Sequence, residues 1–302
     1  MFATEHRVRN GVADVSNPML HRRAAALFCS IAALFLLPGL RAQTETMPER
    51  TLKQLLERQK LLFDEAAKEG DKMDTESLRV QLQEICHGYE ILLHDSPKFA
   101  VAYADYGYLL RKVDMQQEAA AMFLKANAID PNIAFVKNEL GNYLAEQGKP
   151  LEAVNYFIAA IKLAPNEPLY HYQLGTLLHE AADDFLGKGV YTRKQLDDAM
   201  HNAFKKAMEL APDRIEFTYR YAESFNDLEK PDLDEALKVW ASLEERAQTP
   251  MERGTMRLQA ANVLIRQAKF DHARLLLSMV TEPGLEGQKQ KLVAQLPENA
   301  KK

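Results

Sequence analysis

The sequence predicts an all-α fold built by stacking helix pairs, and three observations carry that expectation. Pro97, Pro131 and Pro165 follow one another at intervals of 34 residues, each closing an amphipathic stretch. Small and aromatic residues stand at fixed offsets before them. Tyr106, Gly107, Leu110, Ala119, Phe123 and Ala126 precede Pro131 as Leu140, Gly141, Leu144, Ala153, Phe157 and Ala160 precede Pro165. Composition is the third: 302 residues with 47% hydrophobic and 27% charged side chains describe a foldable chain. Two cysteines exclude a disulfide-stapled scaffold and a structural zinc module, which needs four spaced ligands. The 38 basic residues against 43 acidic ones leave no positive excess of the kind nucleic acid demands, so no nucleic-acid partner is expected.

Residues 1–42 read as a secretory signal. The apolar run at 24–37 has 14 residues, short of the roughly 20 that a membrane-spanning helix needs, and lies between His21-Arg22-Arg23 and the helix breakers Pro38 and Gly39. Cleavage is expected after Ala42, making Gln43 the mature N-terminus, and translation is expected to start at Met19, which opens a compact basic head. Cys29 lacks the small-residue box of a lipoprotein signal, so no lipid anchor is expected. The expected location is the periplasm or the extracellular space. An uncleaved signal anchor is the alternative, and membrane contact would come only through it. Cleavage leaves 33 basic and 41 acidic residues, with Cys86 as the remaining cysteine and a buried structural thiol as its reading.

Residues 43–99 hold two helical periodicities, 51–68 and 76–94, with Ile85, Tyr89 and Leu92 standing where Ala119, Phe123 and Ala126 stand one repeat later. They read as a degenerate capping pair. Repeats at 100–133 and 134–167 follow, and in them Gly107 and Gly141 lie mid-helix. Glycine there costs about 1 kcal/mol relative to alanine, so each predicts a close approach that a side chain would block. The third repeat, 168–214, opens with Leu174, Gly175 and Leu178, but Phe204, Ala207 and Pro212 arrive 13 residues late. The insertion falls between the two helices of this pair. The first is expected to continue through 181–185 and a turn to follow at 187–191; Thr192 and Gln195 then form a capping box for a helix running to Leu210, giving a lengthened hairpin. A fourth repeat, 215–250, keeps Tyr221, Ala222, Phe225, Ala236 and Trp240; a fifth, 254–285, keeps Ala260, Ala261, Leu264, Ala273 and Leu277. Residues 286–302 are expected to form a short polar helix over 288–296 and a frayed tail.

With this period and these offsets the chain resembles the tetratricopeptide repeat family over roughly residues 66–285, most clearly in the repeats that end at Pro131 and Pro165. The resemblance implies antiparallel helix pairs stacked in a right-handed superhelical solenoid. The residues agree with a stack, because no single pair can bury its apolar face alone. Tyr103, Tyr106, Phe123, Phe157, Phe204 and Trp240 fall at packing offsets and read as core. The resemblance also implies a concave groove, lined here by Tyr108, Arg111, Asn138, Asn142, Tyr172, Thr176, His179, Tyr219, Arg220, Glu223 and Asn262. Tyrosine supplies rigid contact area, while asparagine and arginine offer paired hydrogen bonds to a peptide main chain. One family subtype, the clamp for chaperone carboxylate tails, needs a lysine and an asparagine where Ala104 and Tyr108 stand, so it is not expected.

Signatures of catalysis are largely missing from the sequence. The chain has no phosphate-cradling glycine loop and no Gly-x-Ser-x-Gly elbow. His179-Glu180-Ala181-Ala182-Asp183 resembles the zinc-protease helix in part, with Asp183 replacing the second histidine and no third ligand downstream; a solvated polar face is the favoured reading. No enzyme activity, cofactor or metal is expected. The expected function is a protein-interaction scaffold of the cell envelope, taking an extended peptide or a helix of another protein into the groove. The alternatives are a structural component of an envelope assembly or secretion complex, and a metal-assisted hydrolase centred on His179.

Overall fold

The computed structural model describes residues 45–70 and 74–297, so the secretory signal expected over 1–42 and the end of the expected tail lie outside the described residues. Among the described residues there are fourteen α-helices, one 3-10 turn and no strand, and no helix is long and apolar enough to cross a membrane. The described residues divide into two compact units, the first ending at Met115 and the second beginning at Gln116.

The first unit contains α1 (Met47–Glu69), α2 (Thr75–Asp95) and α3 (Ala100–Lys112). A reciprocal capping box starts α1: Thr46 Oγ1 accepts from the Glu49 amide and Glu49 Oε2 accepts from the Thr46 amide at 2.7 Å. Asp74 caps α2. Apolar spacings of three, four and seven put Leu52, Leu55 and Leu62 on one face of α1 and Ile85, Tyr89 and Leu92 on one face of α2, and these faces are buried. Tyr89 stacks on Tyr106 of α3 with ring centroids 5.1 Å apart, and its hydroxyl donates to the buried Gln59 Oε1 at 3.2 Å. Cys86, on α2, is half-buried, and burial pushes its thiol above its ordinary range.

The second unit begins with α4 (Gln116–Ile129), α5 (Ala134–Glu146), α6 (Pro150–Leu163) and α7 (Pro168–Glu180). It continues through α8 (Ala182–Gly187), α9 (Arg193–Leu210), α10 (Ile215–Ser224) and α11 (Leu233–Arg246), then α12 (Pro250–Arg266), α13 (Phe270–Ser278) and α14 (Glu286–Val293). Neighbours in sequence are neighbours in space: α5 packs on α6, α6 on α7, α7 on α9, and so on to α12 on α13. Each antiparallel pair therefore covers the apolar face of the next, and one core runs from Ala153 to Val263. Leu258, Ala261, Leu277, Val280 and Leu285 close the C-terminal end.

The glycines show how tightly the pairs are set. A Cβ added to Gly141 would lie 2.9 Å from the Phe157 ring, and one added to Gly175 would lie 2.8 Å from the Phe204 ring. Phe157 follows its glycine by 16 residues and Phe204 follows its own by 29, a difference equal to the 13-residue insertion. The same contact is made in both pairs although extra chain intervenes.

The insertion itself differs from expectation. α7 does not continue through 181–185 but ends at Glu180; the chain bends at Ala181 and makes the separate turn α8. That bend swings Phe185 inward, where it is fully buried among α6, α7 and α9 and meets Tyr191 edge-on at 5.7 Å. Burial of a whole aromatic side chain outweighs the helical hydrogen bonds lost at the bend. The insertion is thus folded onto the body and is not a projecting hairpin. Thr192 does cap α9 reciprocally with Gln195. The fifth pair also starts earlier than the 254 boundary, because Thr249 and Glu252 form a capping box that adds a turn from Pro250.

Asp114, Gly148 and Ala268 stand two residues beyond the ends of α3, α5 and α12, with φ of 65°, 69° and 57°. They are separated by 34 and 120 residues, yet each occupies the same place in its repeat. The tight reversal demands left-handed backbone there, which glycine adopts freely and alanine does not.

Candidate partner-binding face

In the first unit, Tyr108 and Arg111 lie one turn apart on α3, both partly exposed. The Arg111 guanidinium sits 5.7 Å and the Lys112 ammonium 5.4 Å from the Tyr108 ring centre, so the ring is flanked by two cations.

In the second unit the expected groove residues come from four helices. α5 supplies Asn138 and Asn142, α7 supplies Tyr172, Thr176 and His179, α10 supplies Tyr219, Arg220 and Glu223, and α12 supplies Asn262. Spacings of three and four align Asn138 with Asn142, Tyr172 with Thr176 and His179, and Tyr219 and Arg220 each with Glu223. Asn142, Tyr172, Thr176, Tyr219, Arg220, Glu223 and Asn262 are partly exposed and His179 is exposed. Asn138 is the exception and has to be removed from the face. It is 0% exposed, and its Nδ2 donates to Glu139 Oε1 at 3.4 Å, so it serves the packing between helices.

Around Tyr172 and Arg220 the face is held rigidly. The Tyr172 ring lies 4.8 Å from Phe217 and 5.9 Å from Phe204. Arg220 spreads its guanidinium 5.0 Å above the same Phe204 ring, and its Nη1 donates to Glu223 Oε2 at 2.8 Å. Tyr219 meets Trp240 edge-on at 5.3 Å; burial, and then the nearby Glu223 carboxylate, raise its phenol above the ordinary range. Phe204 therefore serves twice, filling the space over Gly175 on one side and backing Tyr172 and Arg220 on the other.

His179 faces Asp227 Oδ2 from Nδ1 at 3.6 Å, not Asp183. Burial holds the Asp227 carboxyl above its usual range, although His179 pulls the other way. No three His, Cys, Asp or Glu side chains converge as metal ligands among the described residues.

Three further residues carry no signal of a special role in the sequence yet are placed distinctively by the fold. Asp227 pairs with His179. His201 lies half-buried against Tyr221 and Phe225, with ring centroids at 5.0 and 4.7 Å. Its Nδ1 is 2.9 Å from Ser224 Oγ, whose hydroxyl donates to the Tyr221 carbonyl at 2.7 Å, so Nδ1 carries the hydrogen. Asp105, on α3, is the third, its carboxyl pushed up to about 7 by lost hydration. A single acidic residue in a helix carries no signal of burial, whereas His201 stands three residues before Phe204 and its inward position follows from helical spacing.

The arrangement is a stack of helix pairs presenting an aromatic and polar stripe, a helical repeat architecture. Residues 136–167 match the family model for the tetratricopeptide repeat. Among solved structures, YrrB, described as a TPR protein with an unusual peptide-binding site, is 18% identical with a TM-score of 0.57, over 68% of this chain and 97% of that one. Pseudomonas aeruginosa pilF is 17% identical with a TM-score of 0.51, over 80% and 99%. The C-terminal part of a TPR repeat-containing protein from Cytophaga hutchinsonii is 15% identical with a TM-score of 0.52, over 83% and 98%. No curated protein matches the chain. At these identities the likeness to solved structures is one of fold. Residues 136–167 thus resemble one tetratricopeptide repeat, and the solved structures share with this chain an all-α fold of stacked helix pairs.

Proposed function

We propose that the chain is an exported scaffold of the cell envelope that takes an extended peptide or a helix of a partner protein along the first-helix face of its second unit. The observation that carries this reading is the fixed cluster of Tyr172, Tyr219, Arg220 and Glu223, whose side chains are partly exposed yet braced by Phe204, Phe217 and Trp240. Side chains already ordered lose little entropy when a partner arrives, and tyrosine and arginine are the residue types that dominate interface energetics. YrrB, the solved structure described above, is named for a peptide-binding site, which favours the same use of the fold. Export rests on the signal-like segment at 24–37 and the cleavage point after Ala42.

The test begins with crosslinking in the native compartment to recover the partner, followed by affinity measurements on the triple variant Asn142→Ala, Tyr172→Ala, Arg220→Ala. The variant should keep its melting temperature nearly unchanged and lose at least about 1 kcal/mol of binding. Full affinity would refute the groove. N-terminal sequencing of the native protein should begin at Gln43; an intact 24–37 segment in the membrane fraction would refute cleavage.

A further inference from the structure

A cavity of about 420 Å³ opens at the C-terminal end of the second unit, between α13 and the segment that runs from α14 to Pro297. That volume falls within the roughly 300–1,000 Å³ of small-molecule sites. Arg274, Leu277 and Ser278 stand three and four residues apart on one face of α13, Lys289 and Val293 stand four apart on α14, and Leu296 and Pro297 complete the lining. The cavity exists because α14 stands off its neighbour: its sequence is mostly polar and it buries none of its residues. Leu277, rooted in the C-terminal core with Leu285, gives the cavity an apolar floor, and Val293, Leu296 and Pro297 give it apolar walls.

Two cations and no carboxylate line this space. Each cation is fixed by a backbone carbonyl: Arg274 Nη2 donates to that of Pro297 at 2.6 Å, and Lys289 Nζ donates to that of Val280 at 2.8 Å. Their acidic neighbours lie on the outer side. Asp271 Oδ1 is 3.1 Å from Arg274 Nη1, but its side chain is 99% exposed against 28% for the arginine; Glu286 is 3.9 Å from Lys289 Nζ and 54% exposed against 21%. Carboxylates so exposed are screened by water and offset little of the positive charge. A guanidinium carries five N–H groups and an ammonium three, so both cations keep donors beyond the bonds that anchor them. An arriving anion therefore meets cations already ordered, and the apolar floor and walls reward an anion that brings an apolar body.

We propose that this cavity binds an aliphatic carboxylate, a medium-length acyl chain whose head group meets Arg274 and Lys289 and whose body lies against Leu277, Val293 and Leu296. Charge-assisted hydrogen bonds hold the head, and removal of the chain from water holds the body. A short carboxylate lacks the body, an alcohol of the same length lacks the charge, and an alkyl ammonium is repelled. The site is separate from the protein-binding face and does not rest on it.

The experiment is calorimetric titration of the intact chain with octanoate, octanol, octylammonium and acetate, with amide chemical shifts locating the bound molecule. Octanoate should bind saturably, with shifts confined to α13 and residues 286–297, and about tenfold or more tighter than octanol or acetate; octylammonium should not bind. Arg274→Gln combined with Lys289→Gln should cut octanoate affinity by about tenfold or more and leave octanol unchanged. Those two side chains also tie α14 down, so Val293→Trp gives a second reading: it keeps both cations but fills the cavity, and both octanoate and octanol should be lost. Lys238→Gln, which removes a cation 75% exposed on α11, controls for general attraction to positive charge and should bind as the parent does. Equal affinity for octanoate and octanol, shifts centred elsewhere, or octanoate binding unchanged in the double variant or in Val293→Trp would overturn the proposal. Preference for acetyl-Gly-Gly-Leu over octanoate would overturn it too, by assigning the cavity to a protein C-terminus. The triple groove variant should still bind octanoate, so the two readings fail separately.

Discussion

Alanine in place of Gly141 tests whether the pairs are held as closely as the structure indicates. Taken alone, the substitution favours the helix, because alanine is better than glycine in a helix interior by about 1 kcal/mol. The new methyl, however, would sit 2.9 Å from Cδ1 and Cε1 of Phe157 and 3.1 Å from Cζ. Carbon atoms rest at about 3.5 to 4.0 Å, so the ring would have to retreat by about 0.6 Å or more. Phe157 is 2% exposed in a continuous core and has little room to move. Overpacking of this kind costs about 1 to 3 kcal/mol, and subtracting the helix gain leaves a net loss of about 0 to 2 kcal/mol. The sign is decided by a cycle. In a Phe157→Leu background the aromatic edge is absent, and Gly141→Ala should become stabilising by up to about 1 kcal/mol. Urea denaturation followed by circular dichroism gives all four stabilities. A Gly141→Ala variant that is more stable than its parent with Phe157 present, or a cycle with no change of sign, would refute the close approach.

Left-handed backbone at the repeat turn predicts opposite outcomes for opposite exchanges: Ala268→Gly should stabilise by up to about 1 kcal/mol and Gly148→Ala should destabilise by about 1 kcal/mol, read from the same urea curves. Phe185→Ala should cost about 3 to 5 kcal/mol, because the ring is fully buried; a change within about 0.5 kcal/mol would mean that the insertion is a loose arm after all. Burial, aided by Lys205, holds the His201 imidazole below its unfolded value of 6.5, so its contribution is present above that pH and is lost as the pH falls towards the folded value. Relative to His201→Gln, the parent should therefore lose stability on acidification from neutral pH, and a constant difference across that range would refute the assignment.

The helix pairs, their period and the Thr192–Gln195 capping box were legible in the amino acids because they depend on local chemistry. A hydroxyl three residues before a glutamine or glutamate, a proline at a helix end and apolar residues at spacings of three and four act over one or two turns, wherever the rest of the chain lies. The aromatic core was legible for the same reason, since Phe157 and Phe204 each recur at a fixed place in a repeating unit. The fate of single polar side chains was not. Asn138 is buried and Asp227 pairs with His179, although nothing adjacent in sequence distinguishes them from solvated neighbours. The bend at Ala181 belongs with these, because its cause is the pocket that Phe185 fills between α6, α7 and α9. Desolvation is a property of everything that surrounds an atom, including helices far away in the chain, so only the packed structure decides which charges are stripped of water and which side chains remain free to meet a partner.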